Sequence, residues 1–150
     1  MIRSSRRGFT LIEIMIVIAI IGILAAVMVP NFTKARAEAN LNACVQNEKN
    51  LVTAAQMYIA KHGIPDANIT EFDCLTDDSA GTPYIKKVPT CPGGGDGYSI
   101  IIYGKGASDE DYGECMVKCV GDAHKGAGCD TDYPAVGSNG KIYYSAPSGG

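Results

Sequence analysis

The chain of 150 residues is long enough for one modest domain and an appendage. Its 13 Lys and Arg are outnumbered by 16 Asp and Glu, and three of the basic residues, Arg3, Arg6 and Arg7, precede Gly8. The rest of the chain has ten basic and sixteen acidic side chains. It lacks the concentrated positive charge that a nucleic-acid-binding surface requires, so we expect no nucleic-acid partner.

An apolar run from Phe9 to Val29 follows the basic leader, residues 1–8, and Pro30 closes it. As a helix this run would be about 31 Å long, which is enough to cross the hydrocarbon core of a bilayer. It is too long for the apolar part of an ordinary secretory signal, which spans about 7–15 residues. The leader arginines favour a cytoplasmic N-terminus, with the rest of the chain across the membrane. Residues 9–30 are therefore predicted to be a transmembrane helix.

Glu13 is the one charged residue in this apolar run. A carboxylate in such a segment is unfavourable unless a partner neutralises it, which makes Glu13 a candidate functional residue. The alternative is a side chain that reaches back to the membrane interface. Gly22 lies near the middle of the run, and Pro30 removes an amide donor and clashes with the preceding turn. We therefore predict that residues 22–30 can lose helical order when the helix moves from lipid into an assembly.

From residue 31 to about His62, apolar residues recur at intervals of three and four, which predicts an amphipathic helix. Gly63 and Pro65 mark its end. Residues 9–62 together predict one helix about 80 Å long. Residues 63–150 are too few to bury a helix of that length, so its first half needs either lipid or sister helices.

Residues 63–150 are predicted to form a disulfide-containing β head. Thr70 and Asp73 resemble a capping box that opens a short helix near 71–76. Short runs rich in β-branched and aromatic residues predict strands, and their brief connections favour an antiparallel sheet. These runs are residues 98–103, 115–120 and 141–145. The predicted fold class is α+β: a long N-terminal helix, transmembrane in its first half and amphipathic in its second, packed on a small antiparallel sheet.

Six cysteines lie beyond the apolar run, which suits an oxidising compartment and up to three disulfides. They are Cys44, Cys74, Cys91, Cys115, Cys119 and Cys129. In a strand, Cys115 and Cys119 would share one face about 13 Å apart, too far for a bond with each other. A consistent set pairs Cys119 with Cys129, Cys74 with Cys91, and Cys44 with Cys115. Fifteen pairings are possible, and the sequence alone does not choose among them.

Two groups of residues suggest metal sites. Calcium prefers several oxygen ligands, which an acidic group near the predicted sheet supplies, although its spacing matches no EF-hand and a solvated loop is the alternative. This group is Asp109, Glu110, Asp111 and Glu114. His124 with Cys119 and Cys129 suggests zinc, but the spacing is not that of a structural zinc site, and an oxidising compartment favours disulfides. We expect no cofactor, with calcium as a minor alternative. No nucleophile–base pair, phosphate loop or paired-acid motif is present, so we predict no catalytic residue.

The sequence Arg-Gly-Phe-Thr-Leu-Ile-Glu at residues 7–13, followed by an apolar helix with Gly22 and Pro30, resembles the N-terminal signature of type IV pilins and type II secretion pseudopilins. The resemblance implies the α+β fold of that family. It also implies that the segment Gly22–Pro30 is the part that unwinds in a mature filament. Some pseudopilins bind calcium in loops beside the sheet, which is why the acidic group stays a candidate.

The same resemblance implies roles for three residues at the start of the helix. Gly8 would be the last residue of the leader, which prepilin peptidase removes. Phe9 would become the new N-terminus and be N-methylated. Glu13 would pair with the terminal amine of a neighbouring Phe9 during assembly. A buried carboxylate and a buried ammonium are each unfavourable alone and much less so together.

The function implied is that of a structural filament subunit that catalyses nothing and polymerises with copies of itself. Its other expected partners are prepilin peptidase, an inner-membrane assembly platform and minor pilins or pseudopilins. The precursor would be a single-pass inner-membrane protein, and the assembled filament would be periplasmic or extracellular. The sequence leaves open a surface pilus for adhesion or motility and a pseudopilus for protein export. A third alternative is a monomeric membrane-anchored binding protein.

Overall fold

A computed structural model describes residues 8–77, 81, 83–105 and 113–144. The chain divides into two compact units, Met1–Arg36 and Ala37–Gly150. One helix, α1 (Leu11–His62), contributes residues to both units. It ends at Gly63, whose positive φ of 81° is a backbone conformation that glycine adopts without strain. The predicted long helix is therefore confirmed, but it begins at Leu11 rather than at Phe9.

The part of α1 in the first unit carries large apolar side chains on every face. Fifteen of them, from Leu11 to Phe32, are between 46% and 77% exposed in the single chain. By length and composition this is a helix that could cross a membrane. Such a surface is stable only when lipid or other protein covers it.

The second unit contains an antiparallel sheet of four strands in the order β1-β2-β3-β4. The strands are β1 (Gly97–Ile102), β2 (Cys115–Val120), β3 (Ala135–Gly137) and β4 (Ile142–Tyr143). The predicted antiparallel sheet is confirmed. The sequence analysis missed β3, because three residues directly after Pro134 are too few to show an alternating pattern. The isolated bridge between Ile69 and Ile102 covers the end of β1 on the side opposite β2.

The core of the second unit lies between α1 and one face of the sheet. Leu51, Val52 and Ala55 of α1 are buried together with apolar side chains of the strands. In β2 the buried residues alternate, so Cys115, Val117 and Cys119 all face the core. This confirms both the prediction that the sheet packs on the second half of the helix and the predicted common face of the two strand cysteines.

A short helix, α2 (Asp73–Thr76), follows α1 in the chain, and its Leu75 is fully buried in the core. Phe72 is its N-cap residue and makes no side-chain capping hydrogen bond. The predicted capping box that begins at Thr70 is therefore wrong. Ile69 exchanges backbone hydrogen bonds with Ile102, so the chain just before Thr70 is still held alongside β1 and the helix begins later.

Candidate functional site

The bond between Gly8 and Phe9 lies outside the regular helix, which begins at Leu11. Both residues are exposed, and nothing lies within 4 Å of the position that a Gly8 Cβ would occupy. An exposed, non-helical peptide bond beside a helix start is the geometry that a processing enzyme needs, because the backbone there is not engaged in α1.

Glu13 lies in the first turn of α1, where a negative charge interacts favourably with the helix dipole. Its backbone N–H donates to Thr10 Oγ1 at 3.3 Å, so Thr10 caps the helix. The spacing Thr-x-x-Glu is that of a capping box. Sequence reasoning missed this role of Thr10, although the spacing alone could have revealed it.

The structure is helical through Gly22 and Pro30. Pro30 has no N–H to donate to the carbonyl four residues earlier. Polar side chains bond to backbone carbonyls in this turn: Asn31 Nδ2 donates to Val27 O at 3.5 Å, and Thr33 Oγ1 donates to the carbonyl of Pro30 itself at 2.9 Å. The loss of helical order in a filament stays a prediction.

In the second unit three cysteines and one histidine converge, and we call them the cysteine–histidine cluster: Cys44, Cys91, Cys119 and His124. One ligand atom from each lies within 4.8 Å of the others, and all four residues are buried. Cys119 Sγ is 3.4 Å from Cys91 Sγ, and His124 Nε2 is 3.2 Å from that same Cys91 sulfur. The four side chains come from α1, the loop before β1, β2 and the turn after β2.

This arrangement corrects the predicted disulfide set. All six cysteines lie in the described part of the chain, and all six are free thiols there. Cys119 Sγ lies 3.4 Å from the sulfur of Cys91, the residue that the predicted set pairs with Cys74. Cys115 Sγ faces the Val52 carbonyl at 3.8 Å, and Cys74 Sγ faces the Glu71 carbonyl at 3.8 Å. The physical reason is the topology of the second unit. The loop before β1 returns to the end of β2 that carries Cys119, and the spacing of residues along the sequence does not reveal this contact.

Comparisons with known proteins give the family. The model for the prokaryotic N-terminal methylation motif matches residues 3–29. The chain is 37% identical over 116 residues to type II secretion system core protein G of Escherichia coli strain K12, covering 71% of this chain and 79% of that protein. The chain belongs to the type IV pilin and type II secretion pseudopilin family. No solved structure gives a significant match.

Pilins match over shorter stretches. The chain is 51% identical over 55 residues to the type IV major pilin PilA of Myxococcus xanthus, which is 37% of this chain and 25% of PilA. It is 37% identical over 83 residues to the type IV major pilin PilE of Neisseria gonorrhoeae, which is 55% of this chain. The chain thus spans only half of PilE and a quarter of PilA.

Two glycines let the loop before β1 approach the cluster. A Cβ on Gly93 would lie 2.8 Å from His124 Cε1. A Cβ on Gly95 would lie 2.9 Å from the Val120 carbonyl oxygen and 3.5 Å from Cys119 Sγ. The run Cys-Pro-Gly-Gly-Gly that begins at Cys91 is therefore the sequence signal that could have revealed a loop folded tightly around a cysteine.

The electrostatics of the cluster differ from one sulfur to the next. Burial raises the pKa of the Cys44 thiol to about 12, and it raises the pKa of Cys119 as well. Burial also acts to raise the pKa of Cys91, but hydrogen bonds from the Gly95 N–H, the Cys119 thiol and the Gly93 N–H outweigh it and hold that pKa below its usual value. Burial lowers the pKa of His124, which favours the neutral imidazole.

Polar side chains surround the cluster within the pilin head. Cys44 Sγ donates to Glu48 Oε1 at 3.8 Å, and the Tyr98 hydroxyl accepts a hydrogen bond from Asn47 Nδ2 at 3.0 Å. Glu48 is fully buried one turn after Cys44, and burial raises its pKa to about 9. Its Oε2 is one of two buried side-chain oxygens in the described residues without a hydrogen-bond partner. A neutral carboxyl group is the form that such a site favours at pH 7.

The calcium prediction falls mostly outside the described residues, since Asp109, Glu110 and Asp111 are not among them. Glu114 is described, and it lies half-buried directly before β2. Its carbonyl oxygen accepts a hydrogen bond from the Tyr103 N–H at 2.9 Å. Calcium binding by Asp109, Asp111 and Glu114 therefore stays a prediction.

Proposed function

We propose that the protein is a pseudopilin of a type II secretion system, a filament subunit that works in protein export. The extent of the alignments supports this subtype. The match to core protein G covers 71% of the chain, which is more than α1 can contain, so it reaches into the head. The matches to the two pilins are shorter, at 55% of the chain for PilE and 37% for PilA, so less of the head is aligned with them. Similarity in the head carries more weight here, because the N-terminal helix is common to both kinds of filament.

The alternative is a surface pilus for adhesion or motility. The 51% identity with PilA favours it, but that identity extends over only 55 residues. We infer the same processing for both: prepilin peptidase hydrolyses the bond between Gly8 and Phe9. The leader leaves with a carboxylate on Gly8, and Phe9 keeps the new amine, which is then N-methylated. The exposed, non-helical position of this bond supports the step.

The precursor is held in the inner membrane by its apolar helix, and the assembly platform with minor pseudopilins receives the processed chain. Assembly moves the apolar side chains from lipid into a bundle of sister helices. We propose that Glu13 then pairs with the Phe9 ammonium of a neighbouring subunit. At a separation of about 4 Å and an effective dielectric constant of about 20, such a pair gains about 4 kcal/mol before desolvation is subtracted. An unpaired Glu13 in the bundle would be strongly unfavourable.

The subtype is tested by shearing cells and identifying the chain by mass spectrometry in the released fibres and in the envelope. We expect a mature chain that begins at methylated Phe9 and stays with the envelope. Abundant mature chain in long sheared fibres would overturn the pseudopilin assignment in favour of a surface pilus. A chain that still begins at Met1 would overturn the proposed processing altogether.

The pairing is tested with Glu13→Gln, and Glu38→Gln is the matched control because Glu38 is an exposed glutamate on the same helix. We expect Glu13→Gln to reduce the amount of assembled filament more than about tenfold. The free energy that corresponds to a tenfold change is less than half of the electrostatic gain estimated above. Glu38→Gln should assemble like the wild type. Wild-type assembly of Glu13→Gln, measured by cross-linking of adjacent subunits, would contradict the pairing role.

A further inference from the structure

The cysteine–histidine cluster has the composition and geometry of a metal site that neither the family nor the proposed function requires. Three sulfur atoms and one imidazole nitrogen converge from four segments of the head. We propose that the head binds one structural zinc ion through these four side chains, Cys44, Cys91, Cys119 and His124. This departs from the expectation of the sequence analysis, which weighed zinc with His124, Cys119 and Cys129 and favoured disulfides.

The distances fit a tetrahedral ion. With Zn–S bonds of about 2.3 Å and Zn–N bonds of about 2.0 Å, the ligand atoms of a tetrahedral site lie roughly 3.5–3.8 Å apart. In the protein the Cys91 and Cys119 sulfurs are 3.4 Å apart, and His124 Nε2 is 3.2 Å from Cys91 Sγ. All four ligand atoms lie within 4.8 Å of one another. A single ion can therefore reach all four with small side-chain adjustments.

The chemistry of the ligands favours zinc over other ions. Thiolates and imidazole in a closed tetrahedral set suit zinc, whereas calcium and magnesium select oxygen ligands. Four protein ligands leave no open coordination position, which is the mark of a structural zinc site rather than a catalytic one. The full burial of Cys44 and Cys119 keeps solvent away from the position that the ion would occupy.

The surroundings also position the ligands. The loop that carries Cys91 closes on the cluster at Gly93 and Gly95, where a Cβ would lie 2.8 Å from His124 Cε1 and 3.5 Å from Cys119 Sγ, respectively. Cys44 Sγ lies 3.8 Å from Glu48 Oε1, so a polar side chain adjoins this ligand as well. Polar groups just outside a ligand set orient the metal ligands.

Zinc binding is balanced without any redox step. One Zn²⁺ replaces the protons of three thiols, so three protons leave to solvent and the loaded site carries a net charge of −1. A disulfide between Cys91 and Cys119 is the competing outcome in an oxidising compartment. It would require an oxidant to accept two electrons, and it would leave Cys44 and His124 without a role. Only zinc uses all four side chains.

The ion would join segments that are far apart in the sequence. It would fasten α1, through Cys44, to the loop before β1 and to both β2 and the turn that follows it. Metal bonds that form only in the folded state contribute directly to folding stability. The proposal is independent of the subtype of the filament, because it concerns the head alone.

The test measures zinc in the full-length protein, purified in detergent without chelator or reductant, by elemental analysis and native mass spectrometry. We expect one zinc per chain in the wild type. Cys119→Ser should bind zinc more than about 10-fold more weakly, since even changes outside the metal ligands reduce affinity by 10–100-fold. Cys115→Ser is the matched control, because Cys115 is equally buried on the same face of the same strand and lies outside the cluster. It should keep its zinc.

A second pair of variants keeps the proposal testable if Cys119→Ser does not fold. His124→Ala should lose zinc, whereas His124→Cys should retain it, since a four-sulfur set also binds zinc tetrahedrally. Cobalt added to the metal-free protein should give the intense visible bands of tetrahedral thiolate coordination. Wild-type protein that binds no added zinc, or that carries a Cys91–Cys119 disulfide in place of zinc, would overturn the proposal. Equal zinc content in the wild type and His124→Ala would overturn it as well.

Discussion

Gly104 is buried at the point where β1 leaves the sheet, and no larger residue fits there. A Cβ at this position would lie 2.6 Å from the Ala67 carbonyl carbon, 2.7 Å from the Ala67 oxygen and 2.8 Å from the Pro65 oxygen. All three are backbone atoms, so no side-chain rotation can relieve the contact. In Gly104→Ala, the segment containing Pro65 and Ala67 must move away from the sheet.

The movement of that segment sets the magnitude. It strains two hydrogen bonds: Lys105 N–H to the Pro65 carbonyl at 2.9 Å, and Gly104 N–H to Asn68 Oδ1 at 2.9 Å. Each is worth about 1 kcal/mol. Overpacking adds about 1–3 kcal/mol. We therefore expect Gly104→Ala to reduce the free energy of unfolding of the head by about 3 kcal/mol, which lowers Tm by roughly 12 °C for a domain of this size.

Near-ultraviolet circular dichroism during thermal unfolding measures this effect. The chain has 8 Tyr and no Trp, and its first tyrosine is Tyr58, so the tyrosine signal comes entirely from the second unit. Gly126→Ala is the matched control, because nothing lies within 4 Å of its Cβ position. It should stay within about 0.5 kcal/mol of the wild type. Equal melting of Gly104→Ala and Gly126→Ala would refute the steric reasoning.

Two further predictions concern the core and one hydrogen-bonded carboxylate. Leu51 is fully buried, so Leu51→Ala should reduce the unfolding free energy by about 2–5 kcal/mol in urea denaturation. Met57→Ala, at an exposed position of the same helix, is the control and should change the unfolding free energy by less than about 0.5 kcal/mol. Equal losses in the two variants would contradict the predicted packing. Asp132 Oδ1 accepts a hydrogen bond from the Gly121 N–H at 2.8 Å, which holds the pKa of Asp132 below its ordinary value of 3.8. The stabilisation is fully present above that ordinary value and is lost as the pH falls through the folded-state pKa. Asp132→Asn should therefore be less stable than the wild type at pH 7, and a stability difference that persists unchanged in acid would contradict this reasoning.

The elements with long or regular patterns could be predicted from the sequence. Helix α1 was predictable because its apolar run and its three- and four-residue spacing extend over many turns. Strand β2 was predictable because it is a short run that contains the β-branched residues Val117 and Val120 and is bounded by Gly113 and Gly121. Strand β3 was not, since Ala135–Gly137 is too short to carry a period. Local signals were also unreliable at helix starts: the capping box read at Thr70 is absent, and the cap at Thr10 was missed.

The cysteine–histidine cluster could not be predicted for a different reason. Its members are separated by up to 80 positions, and their meeting depends on how the loop before β1 returns to the end of β2. Strand geometry did predict that Cys115 and Cys119 are too far apart to bond with each other. It could not show that Cys91 lies beside Cys119, because that contact is a property of the topology rather than of any local pattern.

The two edges of the sheet restrict how heads can meet. Strand β4 has only two residues, and the Ile69–Ile102 bridge occupies the outer side of β1 at its end. Short or covered edges offer little backbone to a foreign strand. In a polymer of many copies, edges of this kind would limit the pairing of strands between neighbouring heads.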